Sequence, residues 1–157
     1  MELNVRIEEL PPMRVASAIS CGPSPEEKAW EKLEEWAKSK SLPLEKVRSF
    51  GFDNPSPSPG SPNYGYEKWL EVGPRVEGSG EITIKDFPGG RYAVTRVVGV
   101  DNIFPTWRKL VAWCEDSPYT IGGGQCLEEL IESKLDDLES LTLDLCLPIV
   151  EGPSIQP

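Results

Sequence analysis

Histidine is missing from this chain, and its four cysteines, Cys21, Cys114, Cys126 and Cys146, form no CxxC pair. The first absence removes Ser-His and Cys-His nucleophile systems and the commonest metal ligand. The second favours reduced, packed thiols over zinc or a disulfide frame, so no metal and no cofactor is expected. No run of about 18 apolar residues occurs, and nothing is expected to span a membrane. Met1–Arg6 has neither the basic nor the apolar region of a signal peptide, which makes the expected location cytoplasmic. Basic charge is short: 16 Lys and Arg stand against 26 Asp and Glu, a net charge of −10. That balance argues against a nucleic-acid partner, because phosphate contacts need a Lys/Arg-rich surface; its plain reading is solubility.

What is present is internal repetition. At an offset of 77 residues, Leu10-Pro11-Pro12-Met13-Arg14-Val15-Ala16 falls on Phe87-Pro88-Gly89-Gly90-Arg91-Tyr92-Ala93. Trp30 and Trp36 fall on Trp107 and Trp113, and Glu67-Lys68-Trp69-Leu70 falls on Asp144-Leu145-Cys146-Leu147. One offset over three separated blocks predicts a duplicated module, with repeat one about 3–76 and repeat two about 80–152. A duplication implies a pseudo-twofold, with a ligand groove along it. The length, 157 residues, suits one such domain.

Alternation predicts strands through Val5 and Ile7 and through Val15 to Ile19, interrupted at Pro11-Pro12; their copies are interrupted at Gly89-Gly90, read as a strand bulge rather than a phosphate cradle. Ser24-Pro25-Glu26-Glu27 is a helix start, followed by Trp30, Leu33, Trp36 and Ala37 on one stripe. The copy begins near Pro105 and carries Trp107, Leu110, Val111 and Trp113. Two strands follow each helix, about 47–53 and 64–72, then 125–132 and 141–150; the acidic segment 134–139 reads as a helical turn or loop. The Pro/Ser run 54–62 is a semi-rigid loop. The expected fold is α+β: two tandem β-α-β-β modules whose antiparallel sheet carries helices on one face and a ligand groove on the other.

Side chains alternate between strand faces. With Leu143, Leu145, Leu147 and Ile149 under the helices, Asp144 and Cys146 take the other face. Tyr66, Leu70 and Val72 likewise leave Glu67, Trp69 and Glu71 opposite. Assigning Leu127 and Ile131 to the core puts Glu128 and Leu130 beside Asp144, above a floor of small residues that includes Ala16, Ala18, Ala93 and Thr95. Polar residues on a wet sheet face explain any one of these acids. Their recurrence beside Trp69 points to a counter-charge and an aromatic wall for a flat, lipophilic cation. The four helical tryptophans are expected to be mostly buried between helix and sheet.

The order Leu10-Pro11-Pro12, Trp30…Trp36, Gly51-Phe52-Asp53-Asn54-Pro55, Tyr64-Gly65-Tyr66-Glu67-Lys68-Trp69, Gly89-Gly90-Arg91-Tyr92-Ala93-Val94, Leu127-Glu128 and Leu143-Asp144-Leu145-Cys146-Leu147-Pro148-Ile149 resembles the gyrase-inhibitor-like (GyrI-like) domain. This is also the effector-binding domain of bacterial multidrug-sensing regulators. The resemblance covers nearly the whole chain. It implies a central groove for bulky aromatic cations, with Glu128 as the family's buried acid and Asp144 as the acid of its last strand; together with the sheet face above, the candidate ligand-binding residues are Glu128, Asp144, Glu67, Trp69, Cys146, Leu130, Ala16, Ala93 and Tyr64. Leu130 and Cys146 stand where the family often has Tyr, so repeat two carries less aromatic wall and Trp69 compensates. With no helix-turn-helix segment, a stand-alone domain without a DNA-binding domain is expected. Binding is the favoured function, with small lipophilic cations as partners; no protein partner is indicated. Some stand-alone members of the resembled family hydrolyse cyclopropane-bearing DNA-alkylating natural products, which would make Glu128 or Glu67 a general base. The family's namesake suggests a third reading, inhibition of DNA gyrase.

Overall fold

The computed structural model describes residues 3–22, 25–43, 47–53, 64–134 and 137–151, without the side chains of residues 64, 133 and 134. The chain divides into two compact units, residues 12–88 and residues 1–11 with 89–157. Both are α+β, with an antiparallel sheet and one α-helix. No helix among the described residues is long and apolar enough to cross a membrane.

The unit 12–88 contains β2 (Met13–Gly22), α1 (Pro25–Ser39), β3 (Ser49–Asp53), β4 (Tyr64–Glu71) and β5 (Thr83–Phe87). Its sheet runs β3-β4-β2-β5. Glu26 and Glu27 lie in the first turn of α1 and Lys38 in the last, each at the end of the helix dipole that favours its charge; Ser24, the expected cap, lies outside the described residues. The α1 stripe of Leu33, Trp36 and Ala37 packs on Ala16, Ala18, Leu70, Val72 and Ile82.

The other unit contains β1 (Arg6–Leu10), β6 (Gly90–Val98), a 3-10 turn (Val100–Asn102), α2 (Ile103–Glu115), β7 (Tyr119–Ile121), β8 (Leu127–Lys134) and β9 (Asp137–Glu151). Its sheet runs β1-β6-β9-β8, with β7 also on β9. Leu110 and Cys114 of α2 pack on Ala93, Val97, Leu143, Leu145, Leu147 and Ile149. The helix starts at Ile103 rather than Pro105, which sits in the first turn, where its missing N–H costs nothing.

The ladders recur at the 77-residue offset. Ala16 pairs with Leu70 and Ala93 with Leu147; Gly51 pairs with Lys68 and Glu128 with Leu145; Ser17 pairs with Thr83 and Val94 with Arg6. The leading strands are exchanged: β1 joins the sheet of β6, and β5 joins that of β2. The interruptions between them have local causes. Pro11 and Pro12 lack the N–H needed to continue a ladder, and Gly89 adopts φ 77°, a backbone region that favours glycine.

One expectation is corrected. In the acidic segment expected as a helical turn or loop, the described residues are strand: β8 runs to Lys134, which pairs with Asp137 of β9, and residues 135 and 136 lie outside the described residues. Of the helical tryptophans, Trp36 is buried, while Trp30, Trp107 and Trp113 are half-buried. The Lys68 ammonium lies 5.4 Å from the Trp30 ring centroid, and Trp113 stacks on Tyr119 at 6.4 Å. Large flat side chains at a helix flank cover the sheet margin without leaving water. Among the cysteines, Cys114 and Cys146 are buried, Cys126 is half-buried and Cys21 is exposed.

Candidate functional site

Directly opposed residues of a ladder share a face. In the unit 12–88 the face away from α1 therefore receives Glu67 and Trp69 from β4, Ser17 and Val15 from β2, Phe50 and Phe52 from β3, and Lys85 and Phe87 from β5. Glu67 is 1% exposed. Its Oε2 accepts three hydrogen bonds, from Ser17 Oγ (2.7 Å), Trp69 Nε1 (2.6 Å) and Lys85 Nζ (2.6 Å). Around it the Trp69 ring meets Phe52 edge-on at 5.0 Å and Phe87, tilted, at 5.7 Å. A carboxylate taken from water must be repaid by charge and hydrogen bonds, and here one cation and two dipolar donors converge on one oxygen.

In the other unit Asp144 occupies the face away from α2 with Val94, Arg96, Cys146 and Arg6. It is 2% exposed. Arg96 Nε donates to Oδ1 at 2.9 Å, and Arg6 donates to Oδ2 at 2.5 Å. Burial pushes the Asp144 pKa up, but the hydrogen bonds and charges of Arg96 and Arg6 outweigh it, and the net shift is downward. Glu129 stands directly opposite Asp144 in the ladder and adds negative charge near Arg96.

The expected face thus holds for Glu67, Trp69, Asp144 and Cys146. Both acids are paired with cations from other strands of their sheets: Glu67 with Lys85, and Asp144 with Arg6 and Arg96. Eight placements are corrected. Glu128 pairs with Leu145 and Leu130 with Leu143, so both lie on the α2 face; Glu128 Oε2 accepts a 2.8 Å bond from Trp107 Nε1, and Leu130 packs into the helix-side core. Leu127 is fully buried but belongs to the face of Cys146, and the register shift after Leu130 leaves Ile131 exposed, so neither residue marks the helix-side face. Ala16 and Ala93 also lie under the helices, where small side chains let the helix approach, and Ala18 and Thr95 share that side. The Tyr64 side chain lies outside the described residues.

Lys85, Ser17, Phe50, Phe52, Phe87, Arg6, Arg96 and Glu129 were not expected at these positions. The signal for Lys85 and Phe87 is the 77-residue offset, which sets β5 on β1; the exchange of leading strands hides which sheet they join. Among the described residues no cluster of three or more metal-ligating side chains forms.

Residues 3–150 match the family model described as the GyrI-like small molecule binding domain. The chain is similar in structure to the EcmrR C-terminal domain (TM-score 0.76, 19% identity, covering 96% of this chain and 99% of that one). It spans 58% of the EcmrR chain in the EcmrR–DNA complex. It is also similar to a hydrolase from Listeria innocua (TM-score 0.68, 13% identity, 95% and 93% covered) and to SAV2435 bound to tetraphenylphosphonium (TM-score 0.59, 8% identity, 94% of each chain). At these identities the likeness is one of fold. The comparison with curated proteins gives no match.

Proposed function

The chain belongs to the GyrI-like small molecule binding domain family, and we propose that it is a cytoplasmic binding module for bulky lipophilic aromatic cations, with Glu67 as the counter-charge and Trp69, Phe52 and Phe87 as the aromatic wall. The observation that carries this reading is the Glu67 carboxylate, 1% exposed and bonded to the Trp69 indole, whose ring meets Phe52 and Phe87, with an ammonium already drawn to it. A negative charge at low effective dielectric attracts a cation strongly, and ring faces add cation–π attraction. The fold likeness to a protein bound to tetraphenylphosphonium supports the ligand class.

Binding is favoured over turnover. A general base must offer a lone pair to water, and one Glu67 oxygen already accepts three bonds, while Asp144 is held ionised by two guanidinium groups. The test is calorimetric titration with tetraphenylphosphonium and its anionic shape analogue tetraphenylborate. We expect the cation to bind and the anion not to; equal affinities would overturn the reading.

A further inference from the structure

We propose that Lys85 is a built-in surrogate for the cationic ligand, and that ligand binding proceeds by displacing its ammonium from Glu67. This rests on the cation-binding reading above and adds a specificity-determining residue to it.

Three observations single out Lys85 as the replaceable partner. First, its side chain is 40% exposed although the carboxylate it reaches is 1% exposed. The side chain therefore runs from solvent to the buried charge, and its withdrawal opens the route it occupies. Second, Ser17 and Trp69 donate to the same Oε2. Those two donors remain when the ammonium leaves, so displacement exchanges one cation for another without stripping the carboxylate. Third, Lys85 stands opposite Val15 on β5 and reaches diagonally across β2 to β4. The two fixed donors are by contrast a short serine in the adjoining strand and an indole on the same strand as Glu67.

The corresponding position in the other unit shows what a site without this exchange looks like. Asp144 is held by two arginines, where Glu67 meets a lysine. Trp69 is matched there by Cys146, and Lys85, 77 residues earlier, by Glu8. A ligand at Asp144 would have to displace two guanidinium groups and would meet less aromatic surface, so the geometry assigns cation exchange to Glu67.

An internal occupant lowers apparent affinity by the fraction of time the site is free. The test titrates tetraphenylphosphonium, with neutral triphenylphosphine oxide as control, into the parent and into Lys85→Met, Lys85→Arg, Glu67→Gln and the Glu67→Gln/Lys85→Met double variant. Methionine keeps the length and removes the competitor, so Lys85→Met should bind the cation about tenfold tighter and leave the neutral probe unchanged. Arginine can pair with the carboxylate through two N–H groups, so Lys85→Arg should bind the cation more weakly than the parent. The gain should vanish in the double variant. If the parent binds the cation and Glu67→Gln does not, but Lys85→Met binds no tighter, the exchange proposal falls while the cation reading stands. If neither the parent nor Lys85→Met binds the cation, or Glu67→Gln binds it unchanged, the cation reading itself falls. Should Lys85→Met fail to fold, a Lys85→Arg affinity equal to or above the parent's overturns the exchange.

Discussion

Glu67 and Asp144 hold one position in two ladders: Glu67 lies opposite Ile19, and Asp144, 77 residues further on, lies opposite Arg96. The backbone environment is repeated and the charge environment is not. Where Glu67 has Ile19 across the ladder and meets Lys85 from two strands away, Arg96 clamps Asp144 from directly across the ladder with Nε and a second guanidinium nitrogen. Two buried carboxylates of common placement thus have different partners, a half-exposed lysine at one and a pair of arginines at the other.

Glu67→Gln should weaken tetraphenylphosphonium binding by about 1–3 kcal/mol, the scale of a charged contact in a desolvated site. Glu128→Gln should leave that affinity unchanged, because Glu128 faces α2 and accepts a bond from Trp107. Calorimetry on the two variants decides the matter: a larger loss at Glu128 would return the counter-charge to the helix side and remove the proposed site.

The sheet faces of β4 and β9 were legible in the sequence because both strands alternate cleanly, Leu70 and Val72 against Glu67 and Trp69, Leu145 and Leu147 against Asp144 and Cys146. Strand β8 was not legible. Leu127 and Leu130 are apolar on opposite faces, and the register shift beyond Leu130 breaks the period that would have arbitrated between them. A motif-based placement of Glu128 inherited the same ambiguity, since Glu129 beside it is equally acidic. The cation partners were hidden for a different reason: Lys85 and Arg6 reach their carboxylates from strands whose pairing depends on the exchange across Pro11-Pro12 and Pro88-Gly89.

Asp144 should contribute an acid limb to stability. Its folded pKa is lowered below the unfolded value of about 3.9, so its stabilisation is complete above that value and is lost as pH falls through the folded pKa. Asp144→Asn should therefore lower stability at pH 7 and flatten the fall between about pH 4 and the acid end. We expect a cost of about 1–2 kcal/mol at neutral pH, below that of a fully buried ion pair because both arginines are half-exposed. Urea melts across pH check this; parallel acid limbs in the two proteins would contradict it.

Ala16 and Ala93 should behave as packing residues. Both are fully buried against helix-side core residues, so Ala16→Leu and Ala93→Leu should each overpack and destabilise by about 1–3 kcal/mol. Their effect on cation affinity should be small in whatever fraction stays folded. Chemical denaturation paired with titration separates the two outcomes, and a variant of full stability with abolished binding would place these alanines in the ligand site after all.

Gly51 links backbone packing to the cation site. It lies in β3 between Phe50 and Phe52, and a Cβ added there would collide with the Tyr66 phenol, which crosses the glycine from the neighbouring strand. Glycine in a strand costs conformational entropy, and an aromatic ring laid over it restores the lost contact. Tyr66 is itself buried at 7% exposure, so its ring has little room to yield. Gly51→Ala should therefore destabilise the protein by about 1–3 kcal/mol. It should also weaken cation binding, because any shift of β3 moves Phe52 away from its edge contact with Trp69. Tyr66→Leu removes the colliding ring, so the Gly51→Ala/Tyr66→Leu double variant should be less destabilised than the two single costs added together. A thermal-denaturation cycle over the four proteins reads the coupling directly. Additive losses would mean that the glycine is required for some reason other than the tyrosine above it.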